Sequence, residues 1–193
     1  MFAILSKSLH KMYAAYKVND VKRIIVMMPV NMKDLPNSID ELVLDNRVVA
    51  CKIPLLITDD FKACINDFKP VMKKYLSPLY LYSIANFGWL GGYLPQFIGE
   101  FLYHDFYNET SIGFSNLPLT SESWYFCNKE IYTIGAFANV QCDVPFNFIV
   151  LTYKGKIRVF TMCRDKLKFD SKMFIDIVVE NFESDIQKYC KDE

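Results

Sequence analysis

The chain of 193 residues is long enough to bury one substantial core. Its 22 basic and 22 acidic residues cancel, which excludes the basic excess that nucleic-acid binding demands. Apolar residues at 52% and aromatics at 16%, with only 7 glycines, exclude a disordered or linker-like chain and favour burial against a core, a partner or lipid.

The first residues carry Lys7, Lys11 and Lys17 and no unbroken apolar block, so no secretory leader is read. They lack acids, as mitochondrial presequences do, but they also lack arginine. Phe2, Leu5, Leu9, Met12, Tyr13 and Tyr16 recur at helical spacing, predicting a core-facing helix over 2–17. Asn19-Asp20 reads as a turn. Ile24–Val30 reads as a strand stopped by Pro29 and a loop over 31–38. Arg47–Ile57 reads as a second strand, with Pro54 marking an edge or a bulge. Thr58-Asp59-Asp60 caps a helix running to about Tyr75, with Phe61, Cys64, Ile65, Phe68 and Met72 as its apolar stripe.

Residues 75–99 hold no charge. Their length would suffice to cross a bilayer, but Pro78, Gly88, Gly91, Gly92 and Pro95 interrupt them. Two shorter apolar helices, split near Gly91-Gly92, fit better. Their surface would meet a membrane surface, a partner subunit or the core.

From Thr110 onward the texture is that of strands, over 110–116, 123–127, 129–137, 146–153 and 156–163. In the first, Ser115-Asn116 before Pro118 reads either as a strand end with its turn or as a pair of hydrogen-bonding side chains available to a ligand. The run Phe146–Leu151 reads as a continuous apolar strand, which suggests burial on both faces. Lys154-Gly155 supplies a hairpin turn. Residues 171–190 form a closing amphipathic helix, buried through Phe174, Ile177, Val178, Phe182, Ile186 and Tyr189. The order of elements predicts one mixed α/β layered unit over 1–193, a mixed sheet with flanking helices.

Six cysteines, at 51, 64, 127, 142, 163 and 190, form no C-x-x-C pair, and the two histidines, His10 and His104, lie near no cysteine pair. Reduced thiols and no metal site are expected. His104-Asp105 makes a poor dyad, because neighbours on a helix do not face each other. A thiol-dependent hydrolase would lack a base partner.

Several short motifs keep the order seen in one family. Met27-Met28-Pro29-Val30-Asn31 is similar to its P-V-S strand end. Leu44-Asp45-Asn46-Arg47 with Ile53-Pro54-Leu55 is similar to its G-N-R and L-P segment. Ser115-Asn116-Leu117-Pro118 matches S-N-V-P. Leu151-Thr152-Tyr153-Lys154-Gly155-Lys156 matches L-S-Y-x-G-x, and Arg164-Asp165 follows the next strand. On these residues the chain resembles the C-terminal half of the wax ester synthase/diacylglycerol acyltransferase family.

The resemblance implies one half of the chloramphenicol acetyltransferase-like fold of CoA-dependent acyltransferases, in which two α/β halves surround a channel. It implies a lipid O-acyltransferase domain that moves acyl groups from acyl-CoA to a long-chain alcohol or diacylglycerol, with acyl-CoA as substrate and no cofactor. The family's His-His-x-x-x-Asp-Gly run, whose second histidine deprotonates the alcohol, is not found in the chain. No catalytic base is therefore expected, and the N-terminal half would have to supply it. Ser115 and Asn116 become channel or oxyanion candidates. Asn46, Arg47, Tyr153, Gly155 and Asp165 become structural or binding candidates. The resemblance also implies a membrane-associated intracellular place, at the endoplasmic reticulum or lipid droplets, with mitochondria as the alternative. The competing reading is a non-catalytic, acyltransferase-derived subunit of a larger or membrane-bound assembly.

Overall fold

The computed structural model describes residues 1–18, 20–32, 47–137, 144–164 and 170–189. Alternating apolar residues in β1 (Arg23–Asn31) and β2 (Val48–Leu56) make an antiparallel pair from Arg23↔Leu56 to Asn31↔Val48. The pair is joined to β3 (Ile112–Pro118) in parallel at Val26↔Ile112 and Met27↔Gly113. Next comes β6 (Phe146–Tyr153), parallel to β3, and then β7 (Lys156–Cys163), antiparallel to β6. The order is β2-β1-β3-β6-β7. Two-residue strands β4 (Tyr125–Phe126) and β5 (Lys129–Glu130) form a separate small hairpin.

One face of the sheet carries the helices. α1 (Phe2–Ala15), α2 (Phe61–Tyr75) and α5 (Ser171–Tyr189) bring Leu5, Leu9, Met12, Cys64, Phe174 and Val178 against Val26, Leu55, Phe114 and Phe148. The Phe2 ring lies 4.3 Å from that of Phe114 and 4.4 Å from that of Phe68, centroid to centroid. Each such buried side chain contributes about 1.5–3 kcal/mol, so this layer dominates the stability. α3 (Pro78–Gly91) extends it, setting Tyr80, Leu81 and Ile84 against Val49, Cys51 and Ile53.

Polar side chains join these layers. Asp60 caps α2, accepting from the amides of Lys62 at 2.9 Å and Ala63 at 3.0 Å. Buried Ser6 donates to the Leu56 carbonyl at 2.6 Å and accepts from the Thr58 amide at 3.1 Å, fastening α1 to the end of β2. Arg23 grips Asp67 through two nitrogens, at 2.9 and 2.5 Å. Between α1 and α5, Asn181 donates to Ser8 at 2.9 Å and Lys7 meets Asp185 at 2.7 Å.

The expected edge position of Pro54 is observed, since β2 ends the sheet. Pro29 does not stop β1, which runs on to Asn31. The rungs to β3 lie at Val26 and Met27, so Pro29's missing N–H falls beyond that ladder. Ser115-Asn116 does not end β3 in a turn either. The ladder continues to Pro118↔Thr152, and the Leu119 amide still donates to the Thr152 carbonyl at 2.9 Å.

The strands expected over 123–127 and 129–137 shrink to β4 and β5, because the turn between them brings only two residue pairs together. Its Cys127 and Asn128 both have positive φ, 49° and 59°. The uncharged 75–99 stretch forms α3 and the start of α4 (Gln96–Asn108), with the break falling after Gly91 as expected. Among the described residues no helix is long and apolar enough to cross a membrane. The motif residues Leu44, Asp45, Asn46 and Asp165, the loop over 33–38, and Cys142 and Cys190 lie outside the described residues.

Candidate functional site

Side chains alternate across a strand. Phe114 faces α1, so Gly113, Ser115 and Leu117 project from the opposite face of β3. The register puts Asn147, Ile149, Leu151 and Tyr153 of β6 on that same face, with Met27 of β1 beside Gly113. It also puts Phe160 and Arg158 of β7 there, opposite Ile149 and Leu151. Ser115 and Asn147 are half-buried.

Glycine at 113 has a steric reason. A Cβ built there would sit 1.9 Å from Asn147 Oδ1, so the carboxamide of Asn147 occupies the notch that the missing side chain leaves. Ser115 and Asn147 thus line a mid-sheet patch with neutral hydrogen-bonding groups, framed by Met27 and Ile149. Adjacent strand residues diverge, so Asn116 points to the helix side of the sheet, where it is exposed. A ligand atom that Ser115's hydroxyl reaches is not one that the Asn116 amide reaches.

The far part of this face is roofed by residues 119–137. The buried Tyr153 hydroxyl donates to the Ile131 carbonyl at 2.8 Å and accepts from the Trp124 amide at 2.9 Å. Phe137 meets Phe160 edge to face, with centroids 5.9 Å apart. Glu130 takes hydrogen bonds from Lys154 and, at 2.6 Å, from Ser123. The Lys154 bond, then that of Ser123, holds its carboxyl below the usual range, while the same Glu130 bond raises the Lys154 ammonium.

Tyr153 is therefore a brace for the roof. Lys154 and Gly155, with φ of 54° and 67°, form the expected tight turn between β6 and β7. Beside the roof Tyr125, Phe126, Tyr132 and Phe137 stay exposed. Arg47 is exposed at the start of β2, where its carbonyl accepts from the Met32 amide at 2.8 Å.

Two residues on this face were not singled out from sequence. Asn147 could have been found as the polar interruption of an apolar strand. Arg158 has one guanidinium nitrogen, Nη1, enclosed without a hydrogen-bond partner among the described residues. Nothing in its local pattern distinguishes it from an exposed edge-strand arginine.

Neither histidine bonds Ser115 among the described residues. His10 is exposed on α1, across the sheet from it. His104 lies on α4, at a shallow groove of about 360 Å³ that it lines with Gly91, Leu94, Glu100 and Tyr103. The Cys51, Cys64 and Cys163 thiols are all pushed up by burial, so none of them is a ready thiolate at neutral pH. Among the described residues no cluster of side chains could hold a metal ion. The face can orient and polarise a substrate, but among the described residues it carries no group to take a proton from an alcohol.

Comparison with known proteins agrees with this architecture. Residues 46–184 match the WS/DGAT C-terminal domain family. Among solved structures, a wax ester synthase/diacylglycerol acyltransferase from Marinobacter aquaeolei VT8 aligns over 97% of this chain and 42% of its own, with 13% identity and a TM-score of 0.57. A structure describing condensation domain-mediated chain release from the enacyloxin polyketide synthase aligns over 95% of this chain and 35% of its own, at 9% identity and a TM-score of 0.50. At such identities the likeness is one of fold, and the chain spans less than half the length of either structure. None of the curated proteins matches the sequence.

Proposed function

The chain belongs to the WS/DGAT family through its C-terminal domain, and on that premise we propose that it forms the second wall of a lipid O-acyltransferase channel whose base comes from a histidine-bearing N-terminal half. The substrates of this reading are acyl-CoA and a long-chain alcohol or diacylglycerol. The observation that carries it is the sheet face turned away from the helices, where Ser115 and Asn147 stand half-buried with no imidazole beside them.

The chemistry explains the division of labour. An alcohol hydroxyl must lose its proton as its oxygen attacks the thioester carbonyl. The carbonyl oxygen then carries the charge until the C–S bond breaks, the ester forms, and the CoA thiolate takes up a proton. The Ser115 hydroxyl and the Asn147 amide can donate hydrogen bonds to that oxygen or to the acyl carbonyl beforehand. Arg158, on the same side of β7, adds a positive charge to this face. The exposed aromatics at 125, 126, 132 and 137 give a rim for a second half to cover.

The test combines the full chain with the N-terminal half of a WS/DGAT enzyme and follows CoA release and ester formation. The expected result is no ester from the chain alone, ester from the combination, and a loss of about 10²-fold in kcat for Ser115→Ala if Ser115 serves the oxyanion. Ester made by the chain alone, surviving His10→Ala and His104→Ala together, would overturn the argument for an external base. The missing imidazole equally favours the non-catalytic subunit. That reading predicts a stoichiometric complex with the N-terminal half whose turnover is indifferent to Ser115→Ala.

A further inference from the structure

We propose that residues 86–109, the end of α3 and all of α4, form a strap at the β2–β1 side of the sheet face turned away from the helix layer, latched by Lys52, and that unlatching it opens the way to Ser115 and Asn147. The latch stands apart from the acyltransferase reading; the identity of what it admits rests on that reading.

The strap is tied at both ends and loose between them. At one end Ile84 and Ala85 pack with Val49, Cys51 and Ile53. At the other, Thr110 is buried and the Ser111 amide donates to the Ile25 carbonyl at 2.9 Å. Among the described residues none from Asn86 to Glu109 joins either hydrophobic cluster. Asn86 to Leu90 are all exposed. Ile98, Leu102 and Phe106 recur on one side of α4, at the spacing of a stripe that should be buried, yet they are only half-covered. A segment that buries so little apolar surface opens at low cost.

Register locates the latch. Lys52 lies opposite Met27, and Met27 lies beside Gly113, so Lys52 projects from the same face as Ser115 and Asn147. Its ammonium meets Glu109 Oε2 at 2.8 Å and stands 4.4 Å from the centre of the Phe106 ring. One side chain thus holds the strap twice, by an ion pair and by a cation–π contact. Glu109 follows the last residue of α4, where a cation also suits the helix's unpaired carbonyls. The Lys52 bond holds the Glu109 carboxyl below its usual range. Since α3 packs on the helix side of β2, the chain passes round this edge strand to reach Lys52.

Position gives the consequence. Ile149, Leu151 and Tyr153 are buried under residues 119–137, so the patch is closed from the β7 side. Approach to Ser115 and Asn147 is left to the β1 side, where Met27 adjoins Lys52 and the strap.

The experiment is hydrogen exchange on the full chain, read over residues 97–108. Lys52→Met keeps the apolar stem and removes both holds, and should speed exchange there about tenfold. Glu109→Gln, at an exposed position, removes the ion pair alone and should speed it about threefold. Lys52→Arg keeps a cation for both partners and should restore the slow exchange. Amides of β1 and β2 should exchange unchanged in all three, which separates unlatching from loss of the fold. Access is read by iodoacetamide labelling of Ser115→Cys, followed on its own peptide so that the six native cysteines do not interfere. Adding Lys52→Met should speed that labelling by the same factor.

Exchange over 97–108 that is indifferent to Lys52→Met and Glu109→Gln would overturn the latch. Faster exchange with unchanged labelling of Ser115→Cys would overturn the gating. Neither measurement involves acyl transfer, so failure to form ester with an N-terminal half would leave both standing.

Discussion

Replacing Gly113 by alanine probes the sheet face at its tightest point. The new Cβ would stand 1.9 Å from Asn147 Oδ1 and 3.1 Å from its Cγ, whereas the nearby Phe146 carbonyl oxygen is a comfortable 3.9 Å away. The conflict is thus with the carboxamide and not with the β6 backbone. Forcing it aside in a packed sheet costs about 1–3 kcal/mol. Shortening Asn147 to alanine empties the notch. In that background the same Gly113→Ala change should be favourable by roughly 0.5–1 kcal/mol, since glycine inside a strand is entropically costly. The effect reverses sign between backgrounds, with a coupling of about 1.5–4 kcal/mol. Urea unfolding of the four proteins at constant m value measures it. Thermal midpoints should move about 2–4 °C per kcal/mol in a chain of this size. Additivity within about 0.5 kcal/mol would mean that Asn147 does not fill the notch, and the arrangement of the face would be refuted.

Tyr153→Phe removes the hydroxyl that joins the Trp124 amide to the Ile131 carbonyl. It should cost about 2 kcal/mol and admit proteases to residues 119–137; an unchanged digestion pattern would contradict the bracing role. Lys7→Met leaves the Asp185 carboxylate, only 7% exposed and with Oδ2 already unpartnered, without its cation. A loss of about 3 kcal/mol is expected, with most of it recovered in Lys7→Met/Asp185→Leu; equal losses in the single and double variants would count against the pairing. Glu130, held below its ordinary value of 4.5 by Lys154 and Ser123, stabilises the fold above that pH and loses its contribution as the pH falls through its lowered pKa. The stability gap between wild type and Glu130→Gln should therefore be steady near neutrality and close in acid, as urea midpoints across pH 6 to pH 3 will show.

What was legible from sequence was whatever rests on local periodicity. The stripe Phe61, Cys64, Ile65 and Phe68 announced α2, and all four pack in the main core. Gly91-Gly92 marked the break between α3 and α4, and Lys154-Gly155 marked the tightest turn. Pairing was less legible. Whether Ser115-Asn116 ends a strand depends on Val150 and Leu151, more than thirty positions away, which hold the ladder past them. Pro29 looked like a stop because its loss of a donor matters only if a neighbour needs it, and β3 does not reach it. The Asn147 notch required knowing that Gly113 lies opposite. Cys127-Asn128 contains no glycine, so its positive-φ turn gave no local signal. The motif order carried the family likeness, which the match over residues 46–184 supports.

The place of β3 in the sheet bears on how the molecule assembles. β6 and β7 close through a two-residue turn, and β1 and β2 pair with each other antiparallel. β3 has no such near partner, and both its neighbours are parallel and distant in sequence. Loop-closure entropy must be met before those contacts form. On that reasoning the two outer ribbons are expected to gather first, with β3, the strand that carries Ser115, inserted between them afterwards like a keystone. Destabilising changes within it should hasten unfolding and leave the refolding rate nearly untouched.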